Sequence, residues 1–375
     1  MSYEDALARV IDEVITPGAG EVDAAGVFPR RQIEALAGAG LLGLTVPAEF
    51  SGGGQGLRAA AQVVRELGAV CGSTAMVVTM HYAATAALIA GGMKDALTEI
   101  AAGQHLSTLA FSEFGSRSHF WAPLGTATAA GSDVRLDARK SWVTSAGEAD
   151  SYIWSSRPLQ VAGPMTLWLV PGASDGLNVA GSFDGLGLRG NGSAPMTADG
   201  LRVPRSAMVG ADGAGLDLAL AAVLPVFLVC TASMSAGLMR RLAEETAVHL
   251  QQAQLQHLGQ SLAQQVQPRA QLAKLRIEAD RGRALVDDTL TAVERGRDDA
   301  QLQVLEVKAA VGEAAAEAAD LALRACGGAA FRKESPVERL FRDSRAARVM
   351  APTTDALHDF IGRALCGLPL LGDAA

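Results

Sequence analysis

Along this 375-residue chain the apolar positions change period twice. From Ser2 to about Gly103, Ala, Leu and Val recur at spacings of three and four between glycine clusters, the spacing of helices with one buried face. Within that region Gly40-Leu41-Leu42-Gly43-Leu44-Thr45-Val46-Pro47-Ala48-Glu49-Phe50-Ser51-Gly52-Gly53-Gly54 reads as a helix end running into an extended Pro/Gly turn that holds architecture. Between Leu106 and about Arg205 the runs shorten and fill with β-formers, as in Ser151-Tyr152-Ile153-Trp154 and Met165-Thr166-Leu167-Trp168-Leu169-Val170. Gly, Pro, Ser and Asp part them, which predicts a small antiparallel β domain. From Gly213 to Leu371 the helical period returns, and Ala- and Leu-rich stretches such as 309–325 favour long helices in a bundle. The predicted organisation is a helical domain at 1–105, a β domain at 106–212 and a helical bundle at 213–375.

Two stretches depart from this simple pattern. The Gln-rich piece from Gln251 to Gln271 keeps Leu255, Leu258, Leu262, Leu272 and Leu275 at apolar spacing, so helix, turn near Gly259, helix is expected. Leu218 to Met239 carries no charge over more than ~18 residues, long enough for a membrane span. It contains Pro225, is rich in Ala and Ser, and adjoins a long helical region, so a helix buried on all sides of a bundle is the preferred reading and no membrane is expected.

Composition narrows the class. Hydrophobic residues make up 49% and charged residues 19%, which suits a compact globular chain with two or three domains. The net charge of -8, with no basic block, argues against nucleic acid, because phosphate binding needs clustered Lys and Arg. Cys71, Cys230, Cys326 and Cys366 show no Cys-x-x-Cys spacing and read as reduced core residues. There is no His-Glu-x-x-His, no His/Cys cluster and no Gly-x-Ser-x-Gly, so neither a metal site nor a serine hydrolase is expected. Met1-Ser2-Tyr3-Glu4-Asp5 is acidic, without a basic start and apolar stretch, so no signal peptide is expected and the cytoplasm is the expected location.

Four segments then point to one family. They are Phe28-Pro29 leading through Gly40–Gly54; Lys140-Ser141-Trp142-Val143-Thr144-Ser145-Ala146-Gly147-Glu148-Ala149-Asp150; Leu186-Gly187-Leu188-Arg189-Gly190 with Val203-Pro204; and Cys326-Gly327-Gly328 followed by Ser335-Pro336-Val337-Glu338-Arg339-Leu340-Phe341-Arg342-Asp343. Together these resemble the acyl-CoA dehydrogenase superfamily over nearly the whole chain. The resemblance implies an α+β fold: an N-terminal all-α domain, a central β-barrel and a C-terminal four-helix bundle, assembled as a homotetramer or homodimer. It also implies FAD between the β domain and the bundle. Phe111, Ser112 and Glu113 match a Leu-Thr-Glu segment that lines the flavin. Trp142 and Thr144 match residues that contact the isoalloxazine ring and the phosphate-bearing tail, and Gly327 and Gly328 match a turn that approaches the nucleotide of an adjacent subunit. The residue types suit these roles, since tryptophan offers a large stacking face and glycine lets a backbone come close. Trp142 could alternatively be a plain core aromatic.

Departures from the family pattern fall at the reactive positions. Where the family carries Tyr-Glu-Gly-Thr, with the glutamate that removes the substrate's α proton, this chain has Met350-Ala351-Pro352-Thr353. Where an arginine pairs with the FAD pyrophosphate, Leu255-Gln256-His257-Leu258-Gly259 offers no such cation. Arg324, just before the glycine pair, is a candidate replacement, as a guanidinium can grip phosphate bidentately; the alternative is an ordinary helix-surface residue. Thr353 is retained at the family's threonine position. Leu224-Pro225-Val226-Phe227-Leu228-Val229 replaces the polar start of the bundle found in CoA-ester enzymes, and Phe114-Gly115-Ser116-Arg117-Ser118-His119-Phe120-Trp121 replaces a Pro-x-Ala-Gly-Ser-Asp loop.

Candidate groups for proton transfer are therefore His119 in the rebuilt loop and Asp355 and His358 beyond the missing glutamate. Each has a structural alternative: a loop aromatic partner, a carboxylate in a helix's first turn, and a bundle-surface histidine. Three functions follow. The first is an FAD-dependent oxidoreductase acting on a small molecule or acyl thioester with a different base. The second is a monooxygenase of the same fold using reduced FMN or FADH2 supplied by a reductase. The third is a non-catalytic subunit in a heteromer with a related chain.

Overall fold

The structure, a computed structural model, describes residues 2–117 and 119–371. It packs into two compact units. One comprises Met1–Val63, Ser73–Gly185 and Arg189–Phe227; the other comprises Val64–Gly72, Leu186–Leu188 and Leu228–Ala375.

The first unit opens with helices α1 (Tyr3–Val10), α2 (Thr16–Ala25) and α3 (Arg30–Gly38), α1 and α2 joined by a π-helical turn at Ile11–Ile15. Ser2 caps α1, its hydroxyl accepting from Asp5 N at 3.2 Å. Next come α4 (Leu57–Gly68), α5 (Gly72–Ala90) and α6 (Lys94–Ala101). Helix α5 is apolar all round because it is buried all round. Its His81 accepts from Ser107 N through Nδ1 at 3.1 Å, which leaves Nε2 to donate to Leu42 O at 3.1 Å. Burial draws the His81 pKa down to about 4, so the ring stays neutral and ties helix to strand.

Eight strands follow: β1 (Ser107–Ala110), β2 (Thr126–Ala130), β3 (Asp133–Val143), β4 (Ser151–Ser156), β5 (Thr166–Pro171), β6 (Leu177–Val179), β7 (Ala194–Pro204) and β8 (Met208–Val209). Among the described residues they form two four-stranded sheets, ordered β1-β4-β5-β8 and β2-β3-β7-β6. The central sheets of the expected fold are present, and the expected all-antiparallel pairing is corrected to a mixed one, since β1 and β4 run parallel. Strand β4 is buried at every position, and Trp154, Trp168, Leu136 and Leu201 fill the core.

The bundle is built from α8 (Leu224–Gln252), α9 (Val266–Arg295), α10 (Ala300–Cys326) and α13 (Thr354–Leu365), with short helices α11 (Pro336–Ser344) and α12 (Ala346–Val349) before the last; the chain enters α8 through a short helix, α7 (Gly215–Leu218), and a π-helical turn at Ala219–Val223. The Gln-rich stretch turns at Gly259 as expected, with a two-residue hairpin, Gln254–Leu255 against Gln260–Ser261, between α8 and α9. Gly237 on α8 lets Val64–Gly72 pack closely, because a Cβ there would collide with the Arg65 carbonyl. Two helical stretches, Gly72–Ala90 and Gly215–Gln252, are long and apolar enough to cross a membrane; 83% and 67% of their most apolar windows are buried in the protein. Cys71, Cys230 and Cys326 are buried as expected, and burial pushes the Cys230 thiol up to about 12; Cys366 is exposed and corrects the reading of four core cysteines.

Candidate functional site

In the first unit the site begins at a break in register. β3 pairs with β7 as far as Lys140 opposite Met196 and resumes at Val143 opposite Ala194. Ser141 and Trp142 therefore share one partner position, a bulge that re-aims the side chain. Trp142 has a left-handed backbone, φ +56, which costs a non-glycine residue roughly 1–2 kcal/mol. Its ring lies outside the core, 61% exposed, and one face stacks on Phe183 at 4.0 Å between centroids and 25° between planes. The core-aromatic alternative for Trp142 is thereby removed.

The neighbouring strand edge is fixed by the same bulge. Ser141 N donates to Ser112 O at 2.9 Å, beside half-buried Phe111 and Ser112. Thr144 is buried, its hydroxyl 3.3 Å from that of Ser193. Ser145, also left-handed at φ +58, has a buried hydroxyl with no partner among the described residues.

Glu113 does not present its carboxylate outward. Oε1 accepts from Lys140 Nζ at 2.6 Å, and Oε2 accepts from Leu124 N at 2.7 Å and Gly125 N at 2.8 Å. Lys140 completes its three donors on Ser155, at 2.7 Å to the carbonyl and 2.8 Å to the hydroxyl. Burial draws the Lys140 pKa down to about 8, with Glu113 pulling it back upward. One carboxylate thus holds both ends of the rebuilt loop. On that loop Phe114 is 78% exposed, and His119 is exposed and stacks on Trp121 at 4.7 Å; Ser118 lies outside the described residues.

In the second unit α10 ends at Gly327, whose backbone, φ +60 and ψ -146, takes a conformation open to glycine. A Cβ at Gly327 or Gly328 would meet nothing within 4 Å, so this turn is open to close approach. Arg324 sits exposed in the last turn of α10 and forms no hydrogen bond or ion pair among the described residues.

The turn carrying Ala351 is held from beneath. Lys308 on α10 is buried, and its ammonium donates to Ala347 O at 3.0 Å, Met350 O at 3.0 Å and Pro352 O at 2.7 Å. Burial draws its pKa down to about 7. Thr353 then caps α13, its hydroxyl accepting from Ala356 N at 3.3 Å. Thr353→Ala is expected to cost about 1 kcal/mol in urea unfolding, the typical worth of such a cap. Asp355 lies in the first turn of α13, and both it and His358 are exposed. Among the described residues no group of three or more His, Cys, Asp or Glu side chains could hold a metal ion.

Lys140, Lys308 and Phe183 carry roles that sequence reasoning did not assign. For Lys308 a signal existed: Val304, Lys308, Val311 and Ala315 recur at helix spacing, which puts the lysine on the apolar face. Phe183, between Ser182 and Asp184, gave none.

Residues 2–99 match the acyl-CoA dehydrogenase N-terminal domain family, and residues 213–366 match the acyl-CoA dehydrogenase C-terminal domain family. The chain belongs to the acyl-CoA dehydrogenase superfamily. It is 26% identical over 352 residues to the human mitochondrial short-chain specific acyl-CoA dehydrogenase, covering 92% of this chain and 84% of that protein. The fold is that of butyryl-CoA dehydrogenase from Megasphaera elsdenii, with a TM-score of 0.90 at 19% identity over 97% of this chain and 98% of the other. It is also that of KijD3, solved with FMN and a dTDP-linked amino sugar, with a TM-score of 0.86 at 23% identity over 98% and 94%. This acyl-CoA dehydrogenase-like chain therefore has the N-terminal helices, central sheets and C-terminal helices of its family, and the named mitochondrial and Megasphaera relatives are dehydrogenases.

Proposed function

We propose that this chain is an FAD-dependent oxidoreductase of acyl-CoA dehydrogenase type whose reaction uses no carboxylate at residue 351. The observation that carries this reading is Trp142, a large aromatic side chain kept out of the core on a strained bulge. A planar ring system is the ligand such a face suits. The open backbone at Gly327 and Gly328 and the unpaired cation of Arg324 fit an approaching nucleotide tail in the same way.

In this reading Trp142 stacks on the flavin ring, Phe111 and Ser112 line it, and the Thr144 hydroxyl bonds its tail. Gly327, Gly328 and Arg324 serve the flavin of a neighbouring subunit in a homo-oligomer. When bound, the flavin would supply two-electron oxidation of a substrate carbon next to an activating group. Ala351 has no titratable atom, so a proton leaving the substrate goes to another group, and the His119 imidazole on its clamped loop is the proposed acceptor. Asp355 and His358 are the remaining candidates from the turn after Ala351. Thr353 accepts from Ala356 N as a cap and still has its hydroxyl proton to donate to the flavin.

The test is the visible spectrum of the purified chain, with the released flavin identified by chromatography. Stoichiometric FAD, bleached anaerobically by candidate small-molecule or acyl-thioester substrates, is expected. Trp142→Ala is expected to weaken FAD binding about tenfold, on the order of 1.4 kcal/mol, with little change in unfolding midpoint because the ring is exposed. A colourless chain that takes up no FAD overturns the proposal. The missing cation at Leu255–Gly259 favours, as second reading, an enzyme that receives reduced FMN or FADH2 from a reductase. Flavin-reductase-dependent oxygen consumption would then replace substrate bleaching.

A further inference from the structure

Phe183 lies between β6 and β7, in a stretch with no regular secondary structure. Such a residue would ordinarily wander, yet it is tethered on both sides. Ala180 N donates to Pro195 O at 2.8 Å, and Pro195 is the residue opposite the Trp142 bulge. Asp184 pairs with Arg189 at 3.0 Å, and Arg189 Nε in turn donates to Asp23 O at 3.0 Å. The loop is thus pinned to the strand that defines the bulge and, through Arg189, to α2.

We propose that Phe183 is a positioning residue that backs Trp142, holding the indole plane in place so that its free face can receive a flat ring. The proposal rests on the flavin reading above and goes beyond it by assigning the second aromatic layer. An exposed tryptophan on a bulge lacks the packing that fixes core side chains, so a ligand stacking on it must also immobilise it. A partner ring already stacked on one face removes part of that ordering cost before the ligand arrives. With one face covered and 61% of the residue still exposed, the accessible surface lies on the opposite face and the ring edge. The opposite hypothesis is that Phe183 occupies the ligand's own place and competes with it. The two differ in sign.

The experiment titrates FAD into the flavin-stripped full-length chain and compares wild type with Phe183→Ala and Phe183→Tyr. Backing predicts that Phe183→Ala raises the FAD dissociation constant about five- to tenfold, the scale of one aromatic stack. It also predicts a weaker visible circular dichroism of bound FAD, because the ring next to it is less ordered. Phe183→Tyr, which keeps the stacking face, is expected to restore both. A wild type that binds FAD, with Phe183→Ala binding equally or more tightly, overturns the positioning role and leaves the flavin reading standing. Failure of the tyrosine to restore affinity or dichroism also counts against it. A wild type that takes up no FAD overturns both together.

Discussion

Replacing Glu113 with alanine is expected to lower the unfolding free energy by about 3–5 kcal/mol in urea denaturation at neutral pH. The carboxylate is buried and has three donors on it: the Lys140 ammonium and the Leu124 and Gly125 amides. Truncation leaves both amides without this acceptor and strips Lys140, which has no solvent exposure, of its counter-charge, leaving it only the two bonds to Ser155. Burial already pulls Lys140 down to about 8 against the upward pull of Glu113, so without the carboxylate it falls further and folds in as a neutral amine. That escape limits the loss without removing it. Lys140→Met in the same background is expected to add much less than it costs alone, because the two residues share one interaction. A loss below about 1 kcal/mol for Glu113→Ala would show that the loop ends are held by something else.

The second large effect is at Lys308, and its signature is pH. Lys308→Met leaves the carbonyls of Ala347, Met350 and Pro352 without their buried donor, at about 1–3 kcal/mol for each that cannot rearrange. A loss of about 3 kcal/mol at pH 7 is expected. Because burial lowers the Lys308 pKa from 10.5 to about 7, the unfolded chain binds more protons than the native one between those values. Wild-type stability therefore gains from this group as pH rises from about 7 toward 10.5, and gains nothing from it below 7. Methionine does not titrate. The stability difference between the two proteins is expected to widen by up to about 1.4 kcal/mol per pH unit within that window, measured by denaturation at matched ionic strength. A difference that stays flat across the window would mean that Lys308 keeps its charge at high pH.

The same two lysines mark how far residue pattern alone can lead. Lys140 stands in a strand whose neighbours alternate, and Lys308 stands on the apolar face of a helix, so local periodicity places both at the core. Periodicity does not say what answers the charge. For Lys140 the answer is a carboxylate 27 residues earlier, and for Lys308 it is three carbonyls some 40 residues later. Glu113, expected to line a ligand, is turned inward by that pairing. Trp142 shows the reverse case, since a tryptophan in a strand reads equally well as core or as surface. The bulge against Pro195 decides it, and the bulge is a property of how β3 and β7 are registered.

The sequence by itself determined the helical, β, helical order, the turn at Gly259, the family and the absence of a carboxylate at residue 351. These depend on local period, single-residue chemistry and recognisable segments. Only the tertiary structure decided that the strands pair as two sheets with β1 and β4 parallel, that Trp142 faces out against Phe183, and that one buried lysine holds the turn around Ala351. Each of these depends on which distant backbone or side chain comes within about 3–4 Å, and hydrogen bonds and stacking are sensitive to that distance in a way that spacing along the chain does not encode.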